Sequence, residues 1–107
     1  MAHDPATVDR IRRHLVDRGD VVEKRMVGGL SFMVDGRMCC GVTSSGLMVR
    51  LGSEAALRAL DEPHVQPLVF GGKPVAAFVV VQPEGFSDDA SLAAWLGRAL
   101  AFLAQEG

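Results

Sequence analysis

The sequence predicts an α+β domain, a mainly antiparallel sheet of five or six strands with three helices packed on one face. Three observations point to it. Apolar residues recur at helical spacing in a segment near the start, a short internal segment and a long closing segment. Between the first two lie four short strand-like runs separated by turn residues. Asp35-Gly36 sits between two of those runs, and this pair suits the type I′ turn of a β-hairpin, which needs positive φ at both central positions.

Taken in order, Asp4-Pro5 reads as an N-cap followed by proline at the first helical position. Val8, Ile11 and Leu15 continue a helix over about residues 5–18, which Gly19 stops. Strands follow over 21–26, 30–34, 37–42 and 47–51, broken by Gly28-Gly29, Asp35-Gly36 and Thr43-Ser44-Ser45-Gly46. Gly52-Ser53 opens a short helix, with Ser53 as cap and Leu57 and Leu60 facing inward, and Pro63 ends it. Leu68–Phe70 reads as a short strand. The Gly71-Gly72-Lys73-Pro74 turn then leads into the apolar run Val75–Val81. Ser87 reads as the cap of the last helix, with Asp88 and Asp89 where the helix dipole favours negative charge. Leu92, Trp95, Leu96, Ala99, Phe102 and Leu103 give that helix a wide apolar stripe.

At 107 residues, 49% of them apolar, the chain suits one domain with a single core and no staples. The net charge of −2 does not supply the concentrated basic surface of a non-specific nucleic-acid binder. Arg10, Arg12, Arg13 and Arg18 share the first helical segment with Asp9 and Asp17, which reads as a solvated helix face; direct nucleic-acid binding is not expected. The N-terminus lacks the charged-then-apolar pattern of a signal peptide, and no apolar run approaches the roughly 20 residues that span a bilayer. With two cysteines and no disulfide framework, the expected location is the cytoplasm and no membrane partner is expected.

Catalytic and metal-binding patterns are not found. His3, His14 and His64 show no ligand-like spacing, and a zinc site needs about four convergent ligands. Cys39 and Cys40 are adjacent, and neighbours on a regular strand point to opposite faces, so they are poorly placed to pair or to share a metal. Gly71-Gly72-Lys73 leads into a strand, whereas a phosphate loop leads into a helix. No catalytic residue, metal or cofactor is expected, which is a non-enzymatic reading.

Alternation assigns Leu30, Phe32 and Val34, and likewise Leu47, Val49 and Leu51, to one face as core. The opposite face then holds Ser31, Met33, Cys39, Met48, Arg50, Val79 and Val81. A solvated face of an antiparallel sheet is normally polar. This one is largely apolar and carries adaptable methionines, so it reads as a partner-binding surface, with a homodimer as the simplest assembly. The competing readings are a terminal segment or loop that covers the face, and a strand phase shifted by one residue. Arg50 ends a mostly apolar strand and reads as a side chain reaching solvent over the sheet. A small-molecule site or enzyme is the alternative function; it predicts a concave site near Lys24, Arg25, Arg50 and Gly28-Gly29, with Lys24 and Arg25 as anion ligands.

Three blocks carry a family resemblance: Glu23-Lys24-Arg25-Met26-Val27-Gly28-Gly29-Leu30-Ser31-Phe32, Asp35-Gly36-Arg37-Met38-Cys39-Cys40-Gly41-Val42 and Leu47-Met48-Val49-Arg50-Leu51-Gly52. With Gly72-Lys73-Pro74, Pro83-Glu84-Gly85 and the Trp95-bearing closing helix, they resemble the N-terminal domain of TfoX/Sxy proteins over nearly the whole chain. The resemblance implies a small α+β domain with an antiparallel sheet and no established catalytic residues to carry over. It also implies a role in competence or transcription regulation alongside a transcription regulator partner. The best-known members carry a second, C-terminal domain, and this chain is expected to be a stand-alone copy without it, one domain over 1–107.

Overall fold

A computed structural model describes residues 5–26 and 29–106. The expected cap at Asp4, His3 and the Val27-Gly28 part of the first turn lie outside the described residues. The elements are α1 (Pro5–Leu15), β1 (Val21–Met26), β2 (Gly29–Val34), β3 (Arg37–Thr43), β4 (Gly46–Arg50), α2 (Ser53–Ala59), β5 (Val65–Phe70), β6 (Lys73–Val81), a 3-10 turn (Pro83–Phe86) and α3 (Asp89–Glu106). The fold is α+β, as the patterning indicates. All six strands form one antiparallel sheet in the order β1-β2-β3-β4-β6-β5. The two strands read from the end of the chain as one or two are a hairpin, and β5 begins at Val65 rather than Leu68.

Register explains the core. Phe32 pairs with Cys40, Cys40 with Val49, and Val49 with Val79. Leu30, Val42, Leu47 and Val81 form a parallel row. Both rows are buried against Val8, Ile11 and Leu15 of α1, Ala56 and Ala59 of α2, and Leu92, Leu96, Ala99 and Leu103 of α3. One face of the sheet thus takes all three helices. The Asp35-Gly36 turn has positive φ at both residues, 52° and 83°, as a type I′ turn requires.

Four expectations need correction. Val79 and Val81 stand on the helix side, fully buried, because pairing with Val49 and Leu47 fixes their phase; Phe78 and Val80 take the other side. A bulge between Phe32 and Met33 pairs Phe32 with Cys40 but Met33 with Met38, so Cys39 is an extra residue in β3. That breaks the alternation, and Cys39 and Cys40 are both buried in the core. Leu57 is 70% exposed, and Ala56 and Ala59 face inward in its place. Ser87 has helical φ/ψ of −66° and −33° as it closes the 3-10 turn, so it is not the cap of α3.

Asp88 does that work, its carboxylate accepting hydrogen bonds from the Ser91 side chain and backbone. The Ser91 hydroxyl is the main cause that lowers the Asp88 carboxyl below the usual aspartate range. A lowered carboxyl contributes stability above its unfolded pKa and loses it as pH falls through the folded one. Asp88→Ala is therefore expected to lower the thermal midpoint at neutral pH, with the difference from the parent shrinking steadily in acid. Melting curves across that pH range check it; a constant difference would contradict it.

Candidate functional site

The face of the sheet away from the helices is curved. Met26 of the edge strand β1 and Leu68, Val69 and Phe70 of the opposite edge strand β5 line the same cavity of about 850 Å³. Two strands at opposite ends of a six-stranded sheet share one hollow only if the sheet curls, which strong right-handed twist and irregular pairing promote. Pairing is irregular in β3 and again between Pro67 and Val69. The floor follows a row that crosses every strand, Lys24, Ser31, Gly41, Met48, Val80 and Gln66 being successive register partners, and Met48, Val80 and Gln66 of that row line the cavity.

Gly41 sets the depth of that floor. A Cβ there would meet the Met48 Cε at 2.8 Å and the Leu30 carbonyl oxygen at 2.9 Å, so the missing side chain lets Met48 lie across the row. Met48 is only 3% exposed for this reason. Ser31 is also buried, and its hydroxyl donates to the Lys24 carbonyl at 3.2 Å. Met38, Val75 and Phe78 add apolar walls, and Thr43, Ser44, Ser45 and Gln66 are the polar part of the lining. Among the described residues the lining holds no carboxylate, imidazole, amine or thiol. It can bind apolar surface by displacing water, with methionines that adapt to its shape, and its volume lies within the roughly 300–1,000 Å³ of ligand cavities.

Of the residues expected on this face, Met48 floors the cavity and Met33 lies beside it, paired with Met38. Cys39 is in the core instead. Arg50 reaches round the end of the sheet, its guanidinium 5.3 Å from the centre of the Phe102 ring of α3, where it contributes to holding the last helix. Met26, Met38, Phe78 and the β5 residues were not legible as site residues. For Phe78 and Val80 no local signal exists, because an unbroken apolar strand carries no alternation. For Met38, the bulge that turns it is invisible in sequence.

Lys24 and Arg25 do not converge. Arg25 pairs with Leu30 on the helix side and lines a second cleft of about 460 Å³ between α1 and β1, together with Asp9, Arg12 and Glu23. There Arg12 grips Glu23 with two hydrogen bonds, Nε to Oε2 at 2.6 Å and Nη2 to Oε1 at 2.7 Å, and reaches Asp9 at 3.0 Å. The Arg12 hydrogen bond holds the Glu23 carboxyl below its usual range. With its carboxylates already met by a guanidinium, this cleft is an ion-pair cluster that ties α1 to the sheet edge.

The two thiols interact with each other: their hydrogen bond, reinforced by burial, pushes the Cys40 thiol well above its ordinary range, and the same bond draws the Cys39 thiol down. Among the described residues no group of three His, Cys, Asp or Glu side chains is placed to hold a metal, and no helix is long and apolar enough to cross a membrane. A family model described as the TfoX N-terminal domain matches residues 13–103. No curated protein matches the chain.

Proposed function

We propose, from the premise that the chain belongs to the TfoX N-terminal domain family, that it is a non-enzymatic regulatory module that holds a partner protein against the open face of its sheet. The observation that carries this reading is the curved apolar floor, left uncovered by the described residues while all three helices pack on the other side. An apolar hollow of this extent on a small domain is the usual mark of a binding surface. Among the described residues its lining sets no carboxylate, imidazole, amine or thiol beside the hydroxyls of Thr43, Ser44 and Ser45 to activate them, which favours binding over catalysis. The regulatory setting comes from the resemblance to the competence regulators.

Exposed positions make the test. An aspartate at the buried Met48 would probe stability, whereas Phe70 is 68% exposed at the rim. A photo-crosslinking amino acid at Phe70 is expected to give protein adducts in cells of the source organism, and the same group at Leu57, on the helix side, to give none. Equal adducts at both positions, or adducts at Leu57 alone, would contradict the reading. A second reading, a small apolar ligand, draws on the cavity volume. Native mass spectrometry of the purified chain would reveal it as a stoichiometric mass increment that denaturation removes.

A further inference from the structure

We infer that the occupant of the open face is an amphipathic helix with acidic flanks, supplied by a partner protein. The inference rests on the docking reading above and adds the chemistry of what docks.

The first ground is charge. The six strands hold a single carboxylate, Glu23. Alternation puts Glu23 on the helix side, where Arg12 grips it at 2.6 and 2.7 Å. The open face is therefore without strand carboxylates, although acidic residues outnumber basic ones in the chain by 13 to 11. Its two ends carry ammonium groups. Lys24 is the terminal member of the floor row, next to Ser31. Lys73 pairs with Phe70 across the opposite hairpin, and Phe70 lines the hollow. Both lysines are exposed. An apolar floor between two cationic ends, with no strand carboxylate on its side, complements an apolar stripe bordered by carboxylates.

The second ground is shape. Two copies of a concave face cannot fill one another, and face-to-face pairing would bring four lysines together. A convex object is required. Adding a strand at an edge is discouraged at both edges, since β1 carries Glu23, Lys24 and Arg25 in succession and β5 carries Pro67, which lacks an N–H. Six strands at about 4.8 Å spacing give a floor roughly 24 Å wide along the curve, the length of about 16 helical residues. Helix in groove, with methionines adapting to the stripe, is a recurring mode of peptide recognition.

The test uses the full chain and two fluorescent helical peptides of about 18 residues. They share one Leu/Met/Phe stripe and carry either Glu or Lys on every other face. Anisotropy titrations at low salt are expected to show the Glu peptide binding about five-fold or more tightly than the Lys peptide. The gap should narrow at about 0.15 M salt, where charges are screened beyond about 8 Å. Lys24→Glu with Lys73→Glu, two exposed substitutions whose folding circular dichroism checks, should reverse the preference. Equal binding of both peptides, or a preference unmoved by the double variant, overturns the acidic helix and leaves the apolar groove standing. Binding of neither peptide also overturns it, and the crosslinking at Phe70 then judges the docking reading separately. A doubled mass in light scattering that Phe70→Asp returns to a monomer overturns it in favour of a second copy.

Discussion

Phe32→Ala is expected to destabilise the fold by about 3–5 kcal/mol, the range for removing a fully buried phenyl ring. Phe32 has no exposed surface and is the largest fully buried side chain. It lies at the crossing of the Phe32–Cys40–Val49–Val79 row with the bulge in β3. The bulge fixes the backbone on one side, so the space cannot collapse easily, which places the cost toward the upper end. Against a total of about 5–15 kcal/mol for a domain, this is a large share. Urea unfolding should show a lower midpoint with an unchanged slope. A loss below about 1 kcal/mol would mean the core row closes around the cavity.

Gly46→Ala is expected to cost roughly 3 kcal/mol from a site with no side chain to lose. Gly46 opens β4 at φ +144°, a conformation that L side chains rarely adopt, at roughly 1–3 kcal/mol. A Cβ there would also run into the Val81 carbonyl oxygen of the neighbouring strand. That contact is with backbone, so relief requires β4 and β6 to part, at a further 1–3 kcal/mol or so. The floor of the hollow includes the β4–β6 pairing of Met48 with Val80. The same substitution should therefore weaken peptide binding as well as folding. Thermal melts and the anisotropy titration measure the two effects on one sample; a melt within a degree of the parent would refute the strain argument.

The helices and most strands were legible because their signals are local. Val8, Ile11 and Leu15 repeat at helical spacing and are buried together; Asp35-Gly36 turns as its chemistry demands. The failures are also physical. Leu57 is the larger apolar residue of α2 and is expected inward, yet the buried positions of that helix are Ala56 and Ala59, with Ala55 and Leu60 partly buried against the core. Ser87 and Asp88 are both good caps, and only the 3-10 turn, by taking Ser87 into its own helical backbone, decides between them. The sequence pattern makes Asp88 a dipole partner, and the structure makes it the cap.

What the sequence determined by itself was the class of fold, the order of its elements and the presence of more apolar strand surface than three helices can cover. Those properties follow from composition and short-range periodicity, which each segment carries alone. The tertiary structure decided which side chains form the second face, and that the face is hollow. The phase of the run 75–81 comes from pairing with β4, the position of Cys39 from one inserted residue, and the hollow from two edge strands curling toward each other. Register and curvature are relations between strands distant in sequence, so no single stretch of residues encodes them.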